Sequence, residues 1–342
     1  MRAPEFQSSA VTSTGYDVCL DLQKSFAKLF KRTVILLSGP TGSGKTDVSL
    51  WLAPMVDGEI ISVDSMQVYR GMDIGTAKVS IEARQRIPHY LIDICHVQEP
   101  FNAVDFYYQA MQACQNILSR NKVPILVGGS GFYFHTFLSG PPEGPPADRE
   151  FRDQLAFYIR EHGLSFLYEN LCQKDPEYAQ SITKNDKNKI IRALEIIHFT
   201  GKKVSEHNWS MEVQESREYN CRGWFLSSPK ELLRDNIQLR CQKMLEDNLI
   251  DEVHRLLEQG IRENSSASKA IGYREWIEFI DQGSPEESYE DVKQKFIANT
   301  WQYTKKQRTW FKRYPMFREL STLGLTAEAI AEKIAEDYFL HG

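Results

Sequence analysis

The run "RTVILLSGPTGSGKTDVSLWLAP", residues 32–54, constrains the fold more than any other stretch. Its four apolar residues, 34–37, read as a short buried strand, and a glycine-rich turn then leads into a helix starting near Lys45. Gly39, Pro40, Thr41, Gly42, Ser43, Gly44, Lys45 and Thr46 fill the pattern G-x-x-x-x-G-K-[ST]. The glycines let successive backbone N–H groups face phosphate oxygens, and the helix start adds partial positive charge. Lys45 supplies a mobile ammonium, and Thr46 a hydroxyl for a phosphate-bound Mg2+. Such a loop recognises a di- or triphosphate and leaves open the group attached to it.

The pattern then repeats. "GEIISVDS" reads as a second buried strand ending on Asp64, "HYLIDI" as a third short strand, and "DFYYQAMQACQNILSR" has helical spacing. "KVPILVGGSGFYF" is a further strand running through a glycine turn into a helix. Alternating strands and helices with short connections imply a parallel sheet with its site at the carboxyl ends of the strands. Residues 139–150, "SGPPEGPPADRE", carry four prolines and read as a hinge. Residues 151 to about 208 are helical and polar, which suggests an inserted helical subdomain, and "RGWFLSS" at 222–228 reads as a return to the sheet.

Asp64 has two readings. It is the Mg2+-holding carboxylate of an ordinary P-loop enzyme, or a proton acceptor for a weak nucleophile bound opposite the phosphates. The following "SMQVYRGMDIGTAK" is polar and too long for a tight turn, so it suits a substrate-facing segment. Gly128, Gly129 and Gly131 likewise allow either a tight strand-to-helix turn or direct substrate contact. Arg240, in "IQLRCQKML", considered alone reads as a solvated helix arginine.

"GPTGSGKT", "ISVDSMQVYRGMDIGTAK", "PHYLIDI", "VGGSGFY", "IRALEI", "IGYRE" and "KKQRTWFKR" follow one another from about residue 34 to 314. In that order they resemble the tRNA dimethylallyltransferases, also called tRNA isopentenyltransferases. The resemblance implies an α/β fold with a P-loop nucleoside-triphosphatase-like parallel sheet flanked by helices, and an inserted all-helical subdomain. It divides the chain into an N-terminal extension (1–33), a core with tRNA-binding helices (34–140 and 220–325), the insertion (141–219) and a C-terminal helix (326–342). The activity implied is transfer of a dimethylallyl group from dimethylallyl diphosphate to N6 of the adenosine immediately 3′ of the anticodon, in tRNAs reading codons that begin with U.

The chemistry suits the residues. N6 of adenine is a poor nucleophile, and an allylic diphosphate compensates by departing easily. Catalysis must stabilise the departing diphosphate and accept a proton from N6. By resemblance Asp64 takes the proton, Ser130 stands where most relatives have Thr, and Arg240 falls at the diphosphate-binding arginine, a role its planar fork fits. The loop and Mg2+ hold the diphosphate.

A net charge of −5 gives no global attraction to nucleic acid, so tRNA must meet a local basic patch. Residues 291–318 hold eight basic residues against one acidic, interleaved with Trp301, Tyr303, Trp310, Phe311 and Tyr314. Phosphate contact and base stacking suit the segment, although its aromatics alone read as helix core. Resemblance extends the tRNA contacts to Asp64, Ser65, Met66, Gln67 and Ser130. It adds Arg152, Asn188, Lys189 and Arg192 in the insertion, Lys269, Gly272, Tyr273 and Arg274 in "SKAIGYRE", and Lys305, Lys306, Arg308 and Lys312. Family members usually carry arginine where this chain has Lys189, and often one near Trp301; lysine keeps the charge but loses the bidentate geometry. The target base must be flipped out of the anticodon stem-loop to reach Asp64, with the hinge letting the insertion close on the tRNA.

Six scattered cysteines without a C-x-x-C pair argue for a reducing cytoplasm over a disulfide framework or zinc site. No apolar run supports a signal peptide or a membrane span. "LQKSFAKLFKR" reads as an amphipathic helix docked on the body. No zinc-finger pattern follows Tyr314, which points to the bacterial type. A monomer without an obligate protein partner is expected. The competing readings are a P-loop nucleotide or small-molecule kinase, an adenylate isopentenyltransferase, and a non-catalytic RNA-binding protein that retains the fold.

Overall fold

The computed structural model describes residues 33–141, 144–206, 219–285 and 288–341. The helix expected before residue 33 lies outside them, as do residues 142–143 of the proline-rich stretch. Two compact units result, one from Met1–Ser139 with Gln214–Gly342 and one from Gly140–Val213.

The first unit is built on six parallel strands: β1 (Thr33–Ser38), β2 (Gly58–Val63), β3 (His89–Tyr90), β4 (Val123–Gly128), β5 (Asn220–Ser227) and β6 (Phe317–Ser321). Their order is β3-β2-β4-β1-β5-β6. All six residues of β1 are buried, which explains its unbroken apolar run, since both faces of a parallel sheet are covered by helices. Its early helices are α1 (Lys45–Met55), α2 (Ile81–Arg86), α3 (Ala103–Ser119) and α4 (Gly131–Ser139). A capping box starts α3: Asn102 Oδ1 accepts from Val104 N at 2.8 Å, and Asp105 Oδ2 from Asn102 N at 3.0 Å.

The second unit is a helical cluster of α5 (Arg149–His162), α6 (Leu164–Lys174), α7 (Pro176–Ser181) and α8 (Lys187–Thr200), with no strand among its described residues. Leu155, Leu167, Leu171, Ile190 and Ile196 form its core. The chain then re-enters the first unit through β5 and continues as α9 (Lys230–Glu246), α10 (Leu249–Glu258), α11 (Arg274–Asp281), α12 (Tyr289–Phe311) and α13 (Ala327–His341). Ile330, Ile334 and Tyr338 of α13 pack with Leu52 of α1 against Ile35, Leu37, Trp224 and Leu226 of the sheet.

Two local expectations change. The strand expected over "HYLIDI" lasts only two residues, because Leu91 (φ 62°) and Asp93 (φ 57°) turn into the left-handed region and end the pairing. Strand β6 has no counterpart in the sequence reading. It pairs with β5 from Gly223–Phe317 to Ser227–Ser321, and the Arg318 guanidinium lies 5.1 Å over the Trp224 ring. Only Phe317 of β6 is buried, so no alternating pattern marks it.

Because every strand is parallel, the segments after β1, β2, β4 and β5 emerge on one edge of the sheet. Strand β1 lies between β4 and β5, so chain order reverses beside it and opens a crevice there.

Candidate active site

At that crevice the phosphate loop leaves β1. Gly44 sits at φ 82°, a left-handed conformation that glycine adopts without strain, and α1 starts with no side-chain cap on its first amides. Those N–H groups remain for a ligand. Lys45 Nζ folds back to donate to Gly39 O at 2.8 Å and Pro40 O at 2.9 Å. Asn236 of α9 donates to Gly42 O at 2.9 Å, which ties the loop to a helix from the far end of the chain. Ser43 Oγ is buried with no partner among the described residues, a polar atom left over in the cradle.

The loop lines a cavity of about 900 Å³ that also takes in Asp64, Gln67, Lys78, Gly129, Arg240, Lys243, Tyr303 and Gln307. Burial, then the neighbouring Arg240, lower the Lys45 ammonium to about 7, against the opposing pull of Asp64. Burial lowers Arg240 as well, again opposed by Asp64. Its Nη2 donates to Thr76 O at 3.4 Å. Lys45 and Arg240 thus face Asp64 across the cavity wall, an arrangement that an anion would stabilise.

Asp64 ends β2. Its Oδ1 accepts from Met66 N at 2.8 Å and Gln67 N at 3.4 Å, while Oδ2 has no hydrogen-bond partner among the described residues. The segment behind it is firmly held. Buried Glu252 of α10 accepts from Asp73 N (3.0 Å), Ile74 N (2.8 Å), Gly75 N (3.1 Å) and Tyr273 Oη (2.7 Å). Lys78 donates to Tyr69 O at 2.9 Å and pairs with Asp73 and Asp93. Gln67 is bound through its own side chain, donating to Thr76 O and accepting from Ser62 Oγ.

Ser130 follows β4. The glycines around it are required by packing. A Cβ at Gly128 would collide with the Val63 backbone, at Gly129 with the Gln307 amide, and at Gly131 with the Trp310 ring. The Tyr303 hydroxyl lies within hydrogen-bonding reach of Ser130 and Gln307, and burial, then Asp64, raise it to about 12. Tyr303 is 36% exposed.

The remaining sequence-predicted residues scatter more widely. Lys305, Lys306 and Lys312 are exposed at α12, and Arg308 is half-buried. The α12 aromatics divide: Phe311 and Tyr314 are core, while Trp301 lies under Arg234, 5.2 Å from the guanidinium. Lys269 is exposed and Arg274 Nη2 donates to Glu275 Oε1 at 2.9 Å. Tyr273, expected at an RNA surface, is fully buried with its hydroxyl on Glu252. In the helical unit Asn188 and Lys189 are exposed, with Lys189 3.4 Å from Asp186. Arg152 and Arg192 both bind buried Glu195, through Nε and Nη2 of Arg152 at 2.8 Å and Nη1 of Arg192 at 2.6 Å.

The IPP transferase family model matches residues 67–314. A Chlamydia felis protein named tRNA dimethylallyltransferase is 88% identical over 342 residues, covering 100% of both chains. The chain belongs to the tRNA dimethylallyltransferase family. It is therefore an enzyme, a prenyltransferase. A Staphylococcus epidermidis crystal structure, of a tRNA delta(2)-isopentenylpyrophosphate transferase, shares the fold at TM-score 0.66 and 34% identity. The match covers 91% of this chain and 100% of that one. A eukaryotic dimethylallyltransferase, captured acting on tRNA, superposes at TM-score 0.74 with 26% identity, over 90% of this chain and 79% of that one. As a dimethylallyltransferase-family fold the sheet is P-loop-like, and the kinase reading of the phosphate loop falls away.

Several residues that organise this dimethylallyltransferase-family site were missed from sequence. Glu252 and Asn236 bind across the fold to loops that local pattern does not connect to them. Gln307 stood inside the quoted "KKQRTWFKR", a polar residue at a helical position that turns out 5% exposed. A buried glutamine needs partners, and its helical spacing with Phe296, Thr300, Thr304 and Phe311 was the available signal.

Proposed function

We propose that the protein transfers a dimethylallyl group from dimethylallyl diphosphate to N6 of the adenosine immediately 3′ of the anticodon, in tRNAs reading codons that begin with U, releasing diphosphate. The observation that carries this reading is the convergence of Lys45, Arg240 and Asp64 on one cavity, with Asp64 Oδ2 unpartnered among the described residues. A bond forms between N6 and the terminal allylic carbon as that carbon's bond to the diphosphate oxygen breaks. The cradle of loop amides, Lys45 and Arg240 takes up the charge gathering on the leaving group. The proton lost by N6 passes to Asp64 Oδ2.

The residues also fit a magnesium ion carried on the diphosphate. No group of three or more His, Cys, Asp or Glu among the described residues could cage a metal by itself. Thr46 offers a hard oxygen on the cavity wall, which suits an ion that takes most of its coordination from phosphate and water. Bound there with the donor, Mg2+ would neutralise leaving-group charge.

Exposed Lys305, Lys306 and Lys312 on α12, with Lys269, support a path for the tRNA backbone, and Ser65–Gln67 and Ser130 line the approach to Asp64. In the insertion, Asn188, Lys189, Arg152 and Arg192 are assigned to the anticodon arm. No helix among the described residues is long and apolar enough to cross a membrane. A cytoplasmic monomer acting without an obligate protein partner completes the reading.

The deciding assay offers the purified protein labelled dimethylallyl diphosphate, Mg2+ and unmodified tRNA, with ATP as rival substrate. Label on the tRNA and ATP left intact is the expected result. ATP consumption without prenyl incorporation overturns the proposal, and prenylation of free adenylate in place of tRNA favours a cytokinin-type activity.

A further inference from the structure

Helix α12 presents Tyr303, Gln307 and Trp310 at helical spacing toward the phosphate loop and the glycine turn after β4. Gln307 is the best connected of the three. Its Oε1 accepts from Thr41 N at 2.9 Å and from Thr41 Oγ1 at 3.3 Å, and its Nε2 donates to Gly129 O at 3.0 Å. The contact is shaped around it: a side chain at position 129 would strike the Gln307 amide. The two loops it joins carry different parts of the site. Thr41 belongs to the loop that meets the leaving group, and Gly129 precedes Ser130, beside Asp64.

We infer that Gln307 is a positioning residue that holds the phosphate loop in its anion-binding shape by clamping Thr41 to the Ser130 turn. This rests on the reading of residues 39–46 as a diphosphate cradle. The physical case is that an amide side chain suits this place uniquely well. The Thr41 N–H needs an acceptor and the Gly129 carbonyl needs a donor, and one carboxamide supplies both at once. A carboxylate would set two acceptors against each other at Gly129, and an apolar residue would leave both backbone groups unpaired in a dry setting. Because the clamp springs from the same helix that exposes Lys305, Lys306 and Lys312, the cradle is anchored directly to the most basic face of the first unit.

The test uses the full chain and measures binding of inorganic diphosphate with Mg2+ by calorimetry, together with prenyl transfer, for wild type, Gln307→Met and Gln307→Glu. Gln307→Met, similar in size but unable to form either bond, should weaken diphosphate binding about tenfold and raise KM for the prenyl donor alike. KM for tRNA should stay within about twofold, since the backbone-facing lysines are untouched. Gln307→Glu supplies a readout that mere packing would not move. Protonated, its carboxyl donates to Gly129 O and accepts from Thr41 N as the amide does; ionised, it repels. Its diphosphate affinity relative to wild type should therefore recover as pH falls from 8 to about 6. If Gln307→Met does not fold, the pH-dependent recovery carries the test alone. Wild-type affinity in both variants, or a Gln307→Glu ratio that is flat with pH, overturns the inference. Wild-type protein that binds diphosphate but transfers no prenyl group overturns the proposed function and leaves the clamp standing. Wild-type protein that binds no diphosphate overturns both.

Discussion

The phosphate cradle and the Arg152–Glu195–Arg192 cluster of the helical unit both bury charge, and they treat it in opposite ways. Glu195 is fully enclosed, and despite burial its carboxyl is held below the usual range by Arg152, Arg192 and the Asp148 amide. Both arginines close on its carboxylate, so the cluster fixes the spacing of α5 and α8 while leaving part of each arginine side chain at the surface. The cradle collects Lys45 and Arg240 beside Asp64, where burial disfavours both cations, Arg240 further disfavours the Lys45 charge, and the carboxylate opposes these effects. That arrangement is unfavourable until an anion arrives. Paired charge is architecture, and unbalanced charge at the mouth of a parallel sheet marks chemistry.

The contrast is broken most decisively at Asp64. Asp64→Ala should lower prenyl transfer by about 10²–10⁴-fold while tRNA binding holds, as read by labelled-donor turnover and filter binding. Equal turnover in mutant and wild type would remove the cradle's carboxylate from catalysis and with it the distinction drawn above. Next in size, Glu195→Ala strands two guanidinium groups and should cost about 3 kcal/mol in the helical unit, measured by denaturant unfolding. A neutral result there would mean that the cluster is ornamental.

Arg240→Lys keeps charge but loses the fork. It should raise KM for the prenyl donor about tenfold with tRNA affinity unchanged, and an unchanged donor KM would return Arg240 to the status of a helix arginine. Smaller still are the proton effects, which run in the same direction at the two sites but in different pH windows. Lys45 titrates near 7 when folded against an ordinary value of 10.5, so between those values the unfolded chain holds more protons and the ligand-free protein gains stability as pH rises. Diphosphate binding should restore the Lys45 charge, taking up a proton above pH 7, visible by calorimetry in buffers of different ionisation heat; no uptake would mean that the lysine is already charged. Glu195 has the same slope in an acid window. Its folded value lies below the ordinary value of 4.5, so its contribution is complete above that value and disappears as pH falls through the lowered folded one, which acid melting of the helical unit should register.

Much of the site was legible because its parts are local. A buried strand, a glycine turn and a helix start occupy consecutive residues from 33 to 55, and the periodicities that mark them need no knowledge of the rest of the chain. The same holds for Asp64 at the end of β2 and for the turn after β4. What stayed hidden joins distant segments. Gln307 meets Thr41 across 266 positions and Gly129 across 178, and Glu252 meets Ile74 across 178. Burial of Tyr273 and capture of Arg152 by Glu195 are equally invisible to pattern, because "IGYRE" and "EFRD" look the same whether their side chains face solvent or a carboxylate. Strand β6, with one buried residue, had no periodicity to detect.

By itself, the order of residues determined a buried strand, a glycine-rich loop of phosphate-binding pattern and a helix start within a parallel sheet, since hydrogen-bonding capacity and apolar spacing along a short run suffice for these elements. Only the tertiary structure decided which glycines serve packing, which arginines are already engaged, and which side chain holds the loop in shape. Those outcomes depend on partners brought together by packing, and burial, which makes an unpaired polar group costly, acts only once the chain has closed around it.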